Sequence, residues 1–348
     1  MAPASEAHGS VNAHRPGAVA VLGGGSWGTA LAWLLALNGH PVRLWLRDPA
    51  AAAAMAASRC NQRYLPDLSL PPAIHPTADL PGALSDADAV VVAVPTGAVR
   101  DTLTAAASDL PRGAPLLLAA KGLERETGLR LSEVAADVLG ADVGLRLAVL
   151  SGPNLAREIV QRRPAATVIA ARVPAVAAEL QARFAHPFFR VYTNSDVAGV
   201  EYGGALKNPI AIAAGISDAL RYGDNTLATL LTRGLAEITR IGTAAGGEAA
   251  TFSGLAGLGD LLATAHSPLS RNYRVGRALG EGRSLQEAQA ALGQVAEGVP
   301  TTAAAVLLAE RLGVHAPVMR ALHGVLFEGE TVENTVAALL ARPSGEER

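Results

Sequence analysis

Apolar residues in the first half of the chain fall into short β-branched runs separated by longer helical stretches. Residues 18–22 (AVAVL), 42–46 (VRLWL) and 89–94 (AVVVAV) predict strands. The last is apolar throughout, as a strand covered on both faces should be. Residues 116–120, 147–150, 166–170 and 188–192 predict further strands. Between several of them lie helical stretches at 97–107, 129–139 and 175–184, after an earlier apolar helix that ends at Gly39. Such alternation predicts a parallel, doubly wound α/β sheet. After about Asp196 the texture changes, and no convincing period-2 run appears up to Leu340. Leu227, Leu230, Leu231, Leu235, Ile238 and Ile241 recur at helical spacing instead, as do Val306, Leu307, Glu310 and Leu312 around an apolar face. We therefore expect an α/β domain over 18–196 and an all-helical domain over 197–342, with the boundary near 194–200. Residues 1–17 read as a disordered extension and 343–348 as a frayed tail.

Composition narrows the class. At ~150 residues per domain, 348 residues fit two domains. Half the residues are hydrophobic and only 17% are charged, which excludes a disordered chain. The 29 basic and 31 acidic residues leave a net charge of −2, without the basic excess that a nucleic-acid partner requires. Cys60 is the sole cysteine, so neither an internal disulfide nor a multi-cysteine zinc site forms. The eight histidines show no metal spacing, and His266 reads as structural. No run approaches the ~18 apolar residues of a spanning helix, and the N-terminus lacks a signal-peptide core. A cytoplasmic location is expected.

Candidate chemistry begins directly after the first strand. Gly23, Gly25 and Gly28 fit G-x-G-x-x-G between a strand and a helix. The first glycine permits a tight turn, the second admits a pyrophosphate, and the third lets helix and strand pack closely. The helix start then favours the phosphates. The same residues also spell the G-x-S-x-G elbow of hydrolases, with Ser26 as nucleophile. That reading leaves Gly23 unexplained and lacks an earlier strand to complete an oxyanion hole. Asp48 lies where a ribose-binding acid is expected, ~20 residues beyond the glycines. Arg47 beside it suits a 2′-phosphate, so NAD and NADP both stay open.

Further polar residues gather at strand ends and in the helical half. Lys207 and Glu201 are the only charges within 198–216. A lysine among apolar residues loses hydration, which lowers its pKa toward the range of proton transfer. Its spacing fits a snorkelling lysine equally well. Pro209 should loosen the helix beside it. Asp260 ends a glycine-rich loop, where it is either a helix cap or a functional acid. Ser270, Arg271 and Asn272 at a helix start make a phosphate or carboxylate clamp, or an ordinary cap with a surface arginine. Lys121-Gly122-Leu123-Glu124 and Ser151-Gly152-Pro153-Asn154 end two strands, on the side where open α/β sheets bind ligands. Residues 61–66 (NQRYLP) read only as a loop near that crevice.

Together these segments resemble the bacterial-type NAD(P)-dependent glycerol-3-phosphate dehydrogenase family. The matching stretches are GGGSWGTALA from Gly23, NQRYLP from Asn61, KGLE from Lys121 and SGPNLAREI from Ser151. The second half adds GVEYGGALKN from Gly199, TRGLAEITR from Thr232, FSGLAGLGDL from Phe252, SRN from Ser270 and GQVAEG from Gly293. They run in the family's order from about 18 to 330. The resemblance implies a Rossmann-like N-terminal domain with a mostly parallel sheet, an all-α C-terminal domain and a cleft between them. It implies interconversion of dihydroxyacetone phosphate and sn-glycerol 3-phosphate for glycerophospholipid synthesis, and a homodimer.

By the same resemblance Lys207 matches the proton donor and acceptor. Lys121, Gly152, Asn154, Asp260, Ser270, Arg271 and Asn272 fall on substrate positions. Ser26, Trp27, Arg47, Lys121, Ala156, Arg271, Val295 and Glu297 fall on cofactor positions. Because the Arg47 guanidinium can pair with a 2′-phosphate, a preference for NADPH over NADH is expected. Asn154 departs from the family, which usually has Ser or Thr there. Two rival readings are a 3-hydroxy-acid dehydrogenase and a non-catalytic nicotinamide-binding sensor. The first has no use for the whole KGLE, ALKN and SRN set, and the second needs no buried lysine.

Overall fold

Val19–Leu22 forms β1 and is buried at every position. Its side chains alternate between two apolar layers, Val19 and Val21 on one face and Ala20 and Leu22 on the other. A strand sandwiched in this way has no solvent face, which explains its unbroken hydrophobicity. The computed structural model describes residues 17–341. The expected extension, apart from Gly17, and the expected tail lie outside the described residues.

Following β1 come β2 (Val42–Trp45), β3 (Cys60–Asn61), β4 (Leu65–Ser69), β5 (Ile74–Thr77), β6 (Ala89–Val92), β7 (Leu116–Leu118), β8 (Leu147–Ser151), β9 (Ala165–Ala171) and β10 (Phe189–Asn194). Eight of them form one sheet in the order β10-β9-β8-β7-β6-β1-β2-β5. From β5 to β8 neighbouring strands are parallel, and Val19 pairs with both Val42 and Ala89. β9 runs antiparallel to β8 and parallel to β10, so one edge is reversed. The chain builds outward from β1 to β5 and then returns to β6 on the other side of β1. That reversal opens a crevice beyond the carboxyl end of β1, where such sheets bind ligands.

Residues 61–66, expected as a loop, belong partly to strands. β3 and β4 make a separate antiparallel hairpin with a bulge at Cys60 and Asn61. A two-residue strand is too short to show a period-2 pattern. β5 also escaped sequence reading, since Pro76 disguises a strand that occupies the sheet edge, the place where proline is tolerated.

Beyond β10 the described chain is helical. The helix Val197–Ala219 is its axis, buried along most of its length and unbroken at Pro209. Asp196 caps it through Gly199 N (2.7 Å) and ties it to Glu248 N (2.8 Å). The helix Arg271–Gly280 crosses it so closely that a Cβ on Gly276 would lie 1.9 Å from the Ile212 carbonyl. Asp224–Ala244, Gly298–Arg311 and Pro317–Phe327 pack around the same axis. No helix among the described residues is long and apolar enough to cross a membrane. Arg130, after β7, donates to Glu201 on the axial helix (3.0 Å) and joins the helical half to the sheet.

Candidate active site

A cleft of about 730 Å³ opens along the carboxyl ends of β1, β2, β6, β7 and β8 and against the axial helix. Its sheet-side wall carries the glycine turn. Gly23, Gly25, Ser26 and Trp27 line it, and a Cβ on Gly25 would meet nothing within 4 Å. Gly28 lies outside the lining. A Cβ there would sit 1.9 Å from the Gly23 carbonyl, so its role is the close seating of the helix Ser26–Leu37 on β1. The Trp27 indole donates to the Ala119 carbonyl (3.1 Å). Arg47 and Asp48 line the same wall, and both are exposed. Asp48 accepts from Ala50 N (2.9 Å) and caps the helix Pro49–Ser58, with the Arg47 guanidinium beside it on the cleft wall.

At the other end lies a buried ionic cluster. Lys207, 5% exposed, projects from the middle of the axial helix. Its Nζ donates to Asp260 Oδ1 (2.8 Å) and Thr264 Oγ1 (2.5 Å). Asp260 and Thr264 stand one turn apart on the helix Asp260–Ala265, so both face the amine. A wide π-type turn, Gly259 N to the Gly254 carbonyl (3.1 Å), delivers Asp260 to that position. Asp260 Oδ2 accepts from Lys121 Nζ (2.7 Å), which also donates to the Gly152 carbonyl (2.7 Å). Gly152 therefore acts through its carbonyl on Lys121 and does not line the cleft.

Burial pushes Lys207 down to about 8, with Lys121 and Arg271 acting in the same direction and Asp260 opposing. Burial alone would raise the Asp260 carboxyl, but Lys121 and Lys207 outweigh it and hold Asp260 below the usual carboxylate range. One carboxylate thus stays ionised between two ammonium groups.

Ser270 caps the helix Arg271–Gly280 by accepting from Tyr273 N (3.3 Å). Arg271 lines the cleft and makes no hydrogen bond or ion pair among the described residues. Burial lowers its pKa, while Glu297 and Tyr64 oppose the shift. Asn272 donates to Asn208 Oδ1 (2.8 Å) and accepts from Gly298 N (2.9 Å), which leaves one amide hydrogen for other partners. Asn154 donates to Thr167 Oγ1 (3.0 Å), and its Oδ1 is buried without a partner. Thr167 donates in turn to the Ser151 carbonyl (2.8 Å), so it must accept from Asn154, which fixes the orientation of the amide. Ala156, Val295 and Glu297 complete the lining, and Glu297 accepts from Thr96 N (3.0 Å) across the cleft.

Sequence reading missed Thr264, Asn208 and Tyr64. Thr264 had a usable signal, the i,i+4 relation to Asp260, and Asn208 adjoins the lysine. Tyr64 carried none.

Known proteins resemble this chain along most of its length. Residues 18–177 match the model of the NAD-dependent glycerol-3-phosphate dehydrogenase N-terminus, and residues 196–337 match that of its C-terminus. The chain belongs to this family. A glycerol-3-phosphate dehydrogenase [NAD(P)+] of Corynebacterium diphtheriae is 50% identical over 325 residues, covering 93% of this chain and 98% of that protein. Its counterpart from Moorella thermoacetica is also 50% identical over 325 residues, covering 93% and 96%. The crystal structure of glycerol-3-phosphate dehydrogenase from Coxiella burnetii superposes with a TM-score of 0.90 at 38% identity, covering 94% of this chain and 99% of that one.

Proposed function

We propose that the chain is a glycerol-3-phosphate dehydrogenase that reversibly reduces dihydroxyacetone phosphate to sn-glycerol 3-phosphate with NADPH or NADH. The observation that carries this reading is the Lys207 amine, buried on Asp260 and Thr264 in the cleft that also holds the glycine turn and the unpaired Arg271. Residues 18–196 would form the nucleotide domain and 197–342 the substrate domain.

The site fits a dinucleotide. Among the described residues the N–H groups of Gly25, Ser26 and Trp27 have no backbone acceptor, and the turn in front of them is open. Gly23, Gly25, Ser26, Trp27, Arg47, Lys121, Ala156, Arg271, Val295 and Glu297 are the residues proposed to hold it, with Gly28 supporting the turn. When bound, the nicotinamide supplies or accepts the hydride.

The chain's own groups manage charge and protons. As an ammonium, Lys207 has three N–H bonds and two partners, so one remains for a ketone oxygen. That N–H stabilises the charge developing on the oxygen and transfers a proton to it. In the opposite direction the neutral amine takes the proton back. Asp260 and Thr264 fix the amine, and Lys121 keeps Asp260 ionised. Arg271, with Ser270 and the free Asn272 hydrogen, anchors the substrate phosphate and positions the reacting carbon. The unpartnered Asn154 Oδ1 accepts from the substrate hydroxyl. Gly152 contributes by holding Lys121.

Arg47 at the open rim, with Asp48 engaged in a cap, supports a preference for NADPH. A cytoplasmic homodimer supplying glycerophospholipid synthesis completes the reading. The test is NADPH oxidation by the purified chain with dihydroxyacetone phosphate, which should be rapid and have a lower KM for NADPH than for NADH. Binding of NADPH without turnover would point to a sensor, and preferential turnover of a 3-oxo acid would point to a different dehydrogenase.

A further inference from the structure

The β3–β4 hairpin stands outside the main sheet, yet one of its side chains reaches the glycine turn. Asn61 is buried, at 3% exposure. Its Nδ2 donates to the Gly24 carbonyl (2.9 Å) and to Thr29 Oγ1 (2.8 Å), which uses both amide hydrogens. A carbonyl can only accept, so the atom facing Gly24 must be the nitrogen.

The helix Ser26–Leu37 takes its first bond on the Gly25 carbonyl, from Thr29 N (2.9 Å), so the Gly24 carbonyl stands just outside the helical ladder. Asn61 supplies the donor for that oxygen. A trans peptide points its C=O and N–H in opposite directions. Fixing the Gly24 carbonyl on Asn61 therefore turns the Gly25 N–H the other way, and Gly25 is the residue whose surroundings are open.

We propose that Asn61 is a positioning residue for the cofactor pyrophosphate. It sets the Gly24–Gly25 peptide so that the Gly25 N–H points toward the phosphates. This inference rests on the nucleotide-binding part of the proposed function. It assigns Asn61 no contact with substrate and no part in proton transfer.

The experiment uses the full chain and compares wild type with Asn61→Ala, Asn61→Asp and Thr29→Val. Asn61→Asp keeps the size but sets an acceptor against the Gly24 carbonyl. Thr29→Val removes the other partner of Asn61 and leaves the Gly24 bond in place. Fluorescence titration with NADPH should give a Kd roughly tenfold or more higher in Asn61→Ala, the effect of losing about one charge-assisted hydrogen bond. The Asn61→Asp variant should be at least as weak, and Thr29→Val should stay within about twofold of wild type. The kcat at saturating cofactor should change little, because the lysine centre is untouched.

A sharper readout separates positioning from general loosening of the fold. As competitive inhibitors against NADPH, ADP carries a pyrophosphate and adenosine carries none. Asn61→Ala should weaken ADP and leave adenosine unchanged. An unchanged Kd in folded Asn61→Ala, or equal losses for ADP and adenosine, would overturn the proposal. If Asn61→Ala does not fold, the milder Asn61→Ser carries the same comparison and can overturn the proposal in the same way. Failure of the wild type to bind NADPH at all would instead remove the function on which this inference rests, and the inference with it.

Discussion

At the scale of single residues, the decisive feature is a lysine whose proton affinity is set by what surrounds it. Burial holds Lys207 near 8, against Asp260. In the proposed mechanism ketone reduction uses the ammonium, so kcat/KM in that direction should fall as pH rises through about 8. Alcohol oxidation needs the free amine and should rise through the same pH. Asp260→Asn removes the group that favours the ammonium and should move both midpoints lower. Lys207→Ala should fold and bind cofactor but lose at least ~10³–10⁴-fold in turnover, the upper range for a proton-transfer group. Near-normal rates in that variant would take the lysine out of the mechanism. Arg271 offers an independent test of the substrate. Arg271→Ala should cut efficiency on dihydroxyacetone phosphate by roughly 30- to 5,000-fold, the rate equivalent of ~2–5 kcal/mol for a buried charge pair. On dihydroxyacetone, which has no phosphate, the same variant should be hardly worse than wild type, and equal losses would assign Arg271 a structural role. Lys207 stands out in the sequence because apolar residues surround it. Its partner Asp260 lies 53 positions away, and only the fold brings the two together.

Between whole elements, the site depends on how helices are seated. The helix Pro317–Phe327 begins at a proline and has no side-chain cap of its own. Glu237, 1% exposed on the helix Asp224–Ala244, supplies one by accepting from Val318 N (2.7 Å) and Met319 N (3.1 Å). Burial raises the pKa of this carboxyl, while the two N–H groups, Arg240 and Arg233 oppose it. Glu237→Ala leaves two buried donors unpaired, at ~1–3 kcal/mol each, so urea unfolding should show a loss of about 2–6 kcal/mol. Glu237→Gln retains one acceptor oxygen and should lose clearly less, and equal losses would mean that the cap is not the source. The helix carrying Glu237 is legible from the spacing of Leu231, Ile238 and Ile241. Its contact with position 318 is not, because periodicity reports which face is buried and not what lies against it. Sheet order has the same limit. The apolar runs of β1 and β6 declare buried strands, whereas nothing in 165–171 signals that β9 runs the other way.

On the scale of the molecule, the proposed catalysis requires the glycine-turn wall and the lysine wall to face each other at fixed separation. Polar links between the sheet half and the helical half include Lys121 to Asp260, Thr96 N to Glu297, and Arg130 to Glu201. The first two line or flank the cleft, but the third lies away from its lining and can be altered without touching the proposed ligand groups. Glu201 also accepts from Ser132 N (2.8 Å), and the Arg130 guanidinium lies 5.5 Å from the Tyr202 ring. Burial raises the Glu201 pKa, against the opposing pull of Arg130 and Ser132. Removing one partner of a buried pair strands the other, which typically costs ~3–5 kcal/mol, whereas removing both costs less. Arg130→Ala and Glu201→Ala should therefore each destabilise by about that amount, and the double variant by less than their sum. In folded Arg130→Ala the two walls are less firmly held. The KM values for cofactor and substrate should rise together, while the kinetic midpoint near pH 8 stays in place, since none of the groups that set it has changed. A shifted midpoint with unchanged KM values would show that Arg130 acts on the lysine centre and not on the seating of the two halves.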